Sequence, residues 1–417
     1  MDRTSNPAPG AASQRLYFLD WLRIGAFALL VLYHVGMYYV SWTWHVKSPH
    51  AGPLLEPWMR LSSPWRLSLL FLLSGAATSM MLCGTRARGA LPGADRASGS
   101  LLGARTKRLL LPLLFGMAVI VPPQSYFEVV QQHGYAGSYL DFMRLYFTGY
   151  GGFCKRAGEC LILPTWNHLW FVAYLFVYTA ALWLLVRAWP VLLERGATLL
   201  QRALHGAGLF VWPIALLALM RLLLIDRYPP THALAGDWYL HATYFAVFVA
   251  GAALARAPAM WDAMARVRWV ALALAAIGWL ALTAVIAAQP DARPPIALVV
   301  LARISFATMQ WAAIVAAIGF ARRHLDRDHA WRRTLTEAVF PIYILHQTLI
   351  VLAAMALRPL QLSLAVEGPL LVAITFAGSW AGYLLVRRVG WLRPWLGLGP
   401  TGTTPRLPVL TPARGSR

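Results

Sequence analysis

Acidic side chains are scarce in this chain of 417 residues: 16 Asp and Glu stand against 37 Lys and Arg, and charged residues make up only 13%. Soluble domains carry about 25% charged residues, so an ordinary cytosolic enzyme is excluded. A disordered chain is excluded too, because it needs low hydrophobicity and few aromatics. Here 59% of the residues are hydrophobic and 19 are Trp. Three cysteines exclude a disulfide scaffold and any cysteine-rich zinc or iron–sulfur array. No metal-ligand set is read from the spacing, and no repeat period is visible. What remains is an all-α polytopic membrane protein, with a mean hydropathy of +0.55.

About 20 apolar residues in helical form cross the hydrocarbon core of a bilayer. Ten segments qualify: Leu16 to Val40, Pro64 to Cys83, Leu109 to Val130, Trp166 to Ala188, Gly208 to Ile225, Tyr239 to Ala255, Trp269 to Ala288, Ile296 to Phe320, Ala338 to Leu357 and Pro369 to Val386. Pro122-Pro123 interrupts the third. The first holds Asp20, Arg23 and His34 and lacks a short apolar core ahead of a small-residue cleavage site, so it reads as a retained helix. The expected organisation is a tail over 1–14, a transmembrane domain over 15–390 and a tail over 391–417. Both tails read as disordered from their Pro, Gly, Ser and Thr content.

Positive charge sets the orientation. With both termini cytoplasmic, 25 of the 37 Lys and Arg fall on the inner side and 9 on the outer, Arg66 among the latter. Arg23, Arg221 and Arg303 are counted within spans, while Arg66 and Arg187, at the ends of theirs, count with the flanking gaps. The basic balance is therefore a topology signal of the cytoplasmic (inner) membrane and implies no nucleic acid. Cys154 and Cys160 share an outer loop, where an oxidising compartment permits a disulfide and equally a free pair. Cys83 lies at an inner face and is expected to stay reduced.

Ionisable side chains at membrane depth are costly and mark function. Arg23 and His34 are eleven residues apart, which places them on one helix face about 16 Å apart along the axis. Asp20 is in ion-pair range of Arg23, and simple mutual neutralisation is the plain alternative to function. His168 lies between Trp166 and Trp170, where an interfacial aromatic belt accounts for it. His346 falls in mid-span, where interface anchoring does not. Ser74-Gly75 reads as a small-residue helix contact. Arg105 and Arg108 share a helix face at the inner end of the third span, and paired guanidinium groups suit phosphate oxygens.

Five segments occur in order along Leu16 to Val386: LDWLRIGAFALLVLYH, SLLFLLSG, RTKRLLLP, NHLWFVAYLFVY and PIYILHQTLIV. Together they resemble the acyltransferase-3 family of polytopic membrane acyltransferases, whose Arg-x10-His signature falls on Arg23 and His34. FLLSG, HLWF and PIYILHQ look most like its glucan-biosynthesis branch. The resemblance implies transfer of an acyl group, acetyl or succinyl, from cytosolic acyl-CoA to a hydroxyl of an envelope or periplasmic carbohydrate. Acyl-CoA then acts as donor substrate, with no permanently bound cofactor. On this reading Arg23, Arg105 and Arg108 hold the CoA phosphates. His34 serves as general base or acyl-histidine carrier. Arg23, Glu337 and His346 complete the candidate catalytic set, with Asp226 as a second carboxylate and Arg221 or Arg303 as oxyanion partner.

Two other classes compete. A transporter or exporter suits ten spans with Pro and Gly breaks, but no inverted repeat is visible and acidic residues within spans are few. A haem or quinone protein would use His34 and His346 as a ligand pair, but no single span carries the spaced pair that stacks two haems.

Overall fold

The structure is a computed structural model that describes residues 16–88, 94–155, 160–288 and 294–399; the side chains of 83–102, Cys83 among them, are not described. The tail 1–14 and residues 400–417 lie outside the described residues. Fifteen α-helices follow one another in the described chain. The first six are α1 Tyr17–Tyr39, α2 Glu56–Arg60, α3 Arg66–Arg88, α4 Ala94–Phe115, α5 Pro122–His133 and α6 Tyr139–Phe147. Next come α7 Trp170–Ala188, α8 Leu192–Ala203, α9 Gly208–Leu224, α10 Trp238–Leu254 and α11 Pro258–Arg266. The last four are α12 Arg268–Ala288, α13 Ile296–His324, α14 Ala330–Leu357 and α15 Leu364–Arg388. Among the described residues there is no strand, only an isolated bridge between Cys154 and Cys160, which form a disulfide.

Every one of the ten apolar segments is helical. Six helices are long and apolar enough to cross a membrane, and nine spans result if each of three bent pairs counts as one. Arg66–Leu82 is a shorter apolar helix. The bends have local causes. Proline has no N–H to donate, so the helix through Gly103–Ile120 passes into a π-helical turn at Gly116–Ile120 before restarting at Pro122, with a 41° bend. Two carbonyls near this break are taken up from outside the helix: Tyr146 donates to Met117 O at 2.8 Å and Thr348 to Ile120 O at 2.6 Å. The amphipathic helices α8 and α11 lie at 108° and 107° to α9 and α10, respectively.

Helices α3 and α10 pack backbone against backbone. A Cβ at Gly75 would sit 1.8 Å from Phe248 O, and one at Gly251 would sit 2.0 Å from Leu72 O. The two glycines therefore make a reciprocal close approach, the small-residue contact expected of FLLSG. The folded chain also runs past the expected boundary at 390. Arg393, Leu396 and Leu398 are buried, and Gly397 lies against the Phe340 ring.

Candidate active site

Three histidines from distant parts of the chain meet inside the bundle. His34 comes from α1, His346 from α14, and His168 from the short 3-10 turn Asn167–Leu169 that leads into α7. His34 Nδ1 lies 2.7 Å from His346 Nε2, with the two rings nearly parallel. His346 Nδ1 lies 2.6 Å from the Tyr343 carbonyl. The ring of His168 stands edge-on to His346, centroids 5.1 Å apart. His168 is buried against His346 and bonds the Ile344 carbonyl, contacts that an aromatic belt by itself does not supply.

The carbonyl fixes the proton positions. A carbonyl oxygen only accepts, so His346 Nδ1 carries the hydrogen and neutral His346 offers a lone pair at Nε2. His34 must then donate from Nδ1, which leaves His34 Nε2 as the unprotonated nitrogen. These assignments follow from the network. His34 Nε2 has no hydrogen-bond partner among the described residues, and His34 is half-buried while His346 is fully buried. The 2.7 Å contact leaves no room for a metal between the rings, since each nitrogen needs about 2.0–2.1 Å to a metal. In this arrangement the two rings bond to each other and share no metal.

The cluster rests on a buried polar network centred on Gln124, at the start of α5. Its Oε1 accepts from Asn167 and Gln347, both at 3.0 Å. Its amide nitrogen faces Thr348 Oγ1 at 2.7 Å and His168 Nδ1 at 3.5 Å. His168 Nε2 donates to Ile344 O at 3.1 Å, which leaves Nδ1 as the acceptor. All four hydrogen-bonding positions of the Gln124 amide are occupied, the condition under which a buried polar network stiffens a core. The Pro122-Pro123 break is what turns α5 so that Gln124 reaches this point.

A second grouping lies toward the other end of α1. The charges of Arg23 and Arg108 act on Arg105, and that of Arg23 acts on Arg108. Arg105 is half-buried and Arg108 exposed. Asp20 makes no direct ion pair with Arg23, although its charge acts on it. It is bound instead by Arg332, which also takes Asp328 at 2.8 Å; the Asp20 and Arg332 side chains are 2% and 1% exposed. Among the described residues no ion pair engages Arg23, Arg105 or Arg108.

Other candidates lie elsewhere. Glu337 is engaged by Arg393 at 3.3 Å, Tyr383 at 3.1 Å and Arg387 at 3.9 Å, so it anchors the end of α15 and not a histidine. Arg303 pairs with Asp226. Arg221 donates to the Tyr239 hydroxyl at 2.6 Å and covers the Phe306 ring. These contacts account for Arg221, Arg303 and Asp226 without the cluster. The residue that does approach His34 is Arg66, whose charge acts on it. Ser68 accepts from Gln310 at 2.7 Å, in the middle of α13. The start of α3 is therefore deep in the bundle, and Arg66 is no outer-surface charge. Its place was hidden because the charge count assigns it to the outer gap.

Beyond α1 the chain returns through Ser41–Leu55 and is tied to α5. His45 pairs with Glu128, and Gln131 accepts from Lys47 N at 2.7 Å. Lys47 Nζ donates to Met37 O and Val40 O, each at 2.7 Å. Burial pushes its ammonium down to about 8, against the opposing pull of Glu56. Glu56 itself is held below the usual carboxylate range: burial acts to raise it, but hydrogen bonds from Ser41 and Arg60 prevail.

Comparison with known proteins adds three findings. A family model described as an acyltransferase domain, acyltransferase-3, matches residues 16–384. "Glucans biosynthesis protein C" of Escherichia coli strain SMS-3-5 is 27% identical over 184 residues, and that of strain K12 is 26% identical over 184 residues. Each match covers 44% of this chain and 41% of the relative. No solved structure matches.

Proposed function

The chain belongs to the acyltransferase-3 family, and from that premise we propose that it moves an acyl group from cytosolic acyl-CoA to a hydroxyl of an envelope carbohydrate, with His34 as the base. The proposal includes ten spans in the cytoplasmic membrane with both termini inside, the arrangement that the distribution of Lys and Arg supports. A glucan is the favoured acceptor, since the relatives are glucan biosynthesis proteins.

One observation carries the reading: the relay from the Tyr343 carbonyl through His346 to His34. A sugar hydroxyl is far too weak an acid to ionise near neutral pH, so it needs a base as it attacks a thioester. The hydroxyl oxygen attacks the carbonyl carbon while its proton passes to His34 Nε2. The resulting imidazolium is stabilised through Nδ1–H by His346, which takes the orienting place that a carboxylate holds in a hydrolase triad. The tetrahedral intermediate then collapses, the C–S bond breaks, and the departing CoA sulfur takes the proton from His34 Nε2. No net proton remains on the protein. The grouping of Arg23, Arg105 and Arg108 supports binding of the CoA phosphates, because it is cationic and holds no paired carboxylate.

The test is release of free CoA by the purified protein given acyl-CoA and a carbohydrate acceptor, with acylated product identified by mass. His34→Gln is expected to abolish both. Purified, folded protein that forms no acylated product with acetyl-CoA or succinyl-CoA would refute the reading.

A further inference from the structure

Arg66 opens α3 and is only 3% exposed. Its guanidinium lies 3.7 Å above the Tyr33 ring, and the Tyr33 and His34 ring centroids are 6.0 Å apart. One nitrogen donates to Ser62 Oγ at 3.2 Å, while Nε is buried with no partner. No carboxylate pairs with Arg66 among the described residues. Four other arginines within the fold are matched: Arg332 with Asp20 and Asp328, Arg322 with Asp262 and Asp326, Arg303 with Asp226, Arg256 with Glu194; of those without a carboxylate, such as Arg23, Arg105, Arg108 and Arg221, Arg66 is the one beside His34. A buried cation without a counter-charge is costly, and at this depth it marks a function.

The missing negative charge is one that exists only during reaction. When a hydroxyl adds to the thioester carbonyl under the action of His34, the carbonyl oxygen becomes an oxyanion. We propose that Arg66 is a further catalytic residue, which donates from its guanidinium N–H groups to that oxyanion. This rests on the acyl-transfer reading and adds the group that reading lacks. His34 handles the proton, and Arg66 carries the charge on oxygen. As the intermediate collapses, the electron pair returns to the carbonyl and the C–S bond breaks, so Arg66 keeps its protons throughout. Held between Tyr33 and Ser62, the guanidinium is fixed before the charge develops, which is the condition for strong stabilisation in a water-poor site. Neither Arg221 nor Arg303 meets that condition, as each is engaged elsewhere.

The test compares wild type, His34→Gln and Arg66→Met in the full-length purified protein, with acetyl-CoA and succinyl-CoA as donors and a gluco-oligosaccharide as acceptor. Wild type that forms no acylated product refutes the acyl-transfer reading itself. With active wild type, Arg66→Met is expected to lower kcat by about 100- to 1000-fold with both donors and to leave the acyl-CoA KM within about threefold. Its melting temperature is expected to stay level or rise, because an apolar side chain of similar length replaces an unpaired buried charge. Near-normal kcat would overturn the proposal. So would a loss of melting temperature that accounts for the lost activity, which would make the role structural. A defect confined to succinyl-CoA would also overturn it, since Arg66 would then recognise a carboxylate on the acyl group. Should Arg66→Met fail to insert, Arg66→Lys is measured instead. A point charge cannot reproduce the guanidinium fork, so a kcat loss of at least about tenfold is expected, and full kcat would overturn the proposal.

Discussion

His34 Nδ1 donates across 2.7 Å to Nε2 of His346, a residue 312 positions further along the chain. The Tyr343 carbonyl, 2.6 Å from the other ring nitrogen of His346, makes that direction obligatory. Two neutral imidazoles are thereby ordered so that the lone pair reaches the half-buried ring. Replacing His346 with Leu keeps the volume similar and removes the acceptor. The variant is expected to fold, to lose about 100- to 10,000-fold in kcat, and to keep its KM for acyl-CoA. Steady-state kinetics on the purified variant check this.

Arg23, Arg105 and Arg108 form a cationic group without a paired carboxylate, which suits the phosphates of CoA. Arg105→Gln together with Arg108→Gln is expected to raise the acyl-CoA KM about tenfold or more, with a smaller effect on kcat. The wild-type KM is expected to rise with ionic strength. Two inner charges are lost in the double variant, so labelling of Lys107 from the inner side is measured alongside. Unchanged acyl-CoA affinity with correct topology would leave these arginines as orientation signals alone.

Glycine has opposite meanings at two positions. At Gly75 an added Cβ would fall 1.8 Å from Phe248 O, whereas at Gly25 nothing lies within 4 Å. Gly75→Val must separate α3 from α10 and is expected to cost about 1–3 kcal/mol or more, read as reduced folded yield and a lower melting temperature. Gly25→Ala is expected to be neutral or to stabilise by up to about 1 kcal/mol.

Lys47 has a folded-state pKa of about 8 against an ordinary 10.5, because burial disfavours its charge. Between those two values the unfolded chain binds more protons than the folded one, so stability rises with pH across the window. Below pH 8 the penalty is constant. Melting temperatures measured through this window are expected to show a positive slope from this group, and Lys47→Met is expected to remove it. An equal slope in the variant would contradict the assignment.

How much of this was legible in the sequence follows from how each signal is encoded. Hydropathy is summed over about 20 residues, so the apolar helices were visible. Arg23 and His34 were legible because one helix holds both and its period is fixed. His346 was legible because a histidine in mid-span has no interfacial excuse. His168 was masked by Trp166 and Trp170, which mimic an aromatic belt, and Gln124 was hidden behind the Pro122-Pro123 break that aims it. The surroundings of Arg66 and Glu337 were hidden for a common reason. A residue's depth and partner depend on how helices stack, and no local pattern encodes that. Glu337 found Arg393, in a stretch that reads as a tail, while Arg66 found no carboxylate at all.

The proposed function joins a cytosolic donor to an acceptor on the far side through His34. Oriented proteoliposomes test it most directly, with acyl-CoA supplied only at the cytoplasmic face and a gluco-oligosaccharide enclosed at the opposite face. Acylated oligosaccharide is expected in the lumen with wild type and none with His34→Gln. Acylation only when donor and acceptor share the cytoplasmic compartment would contradict it.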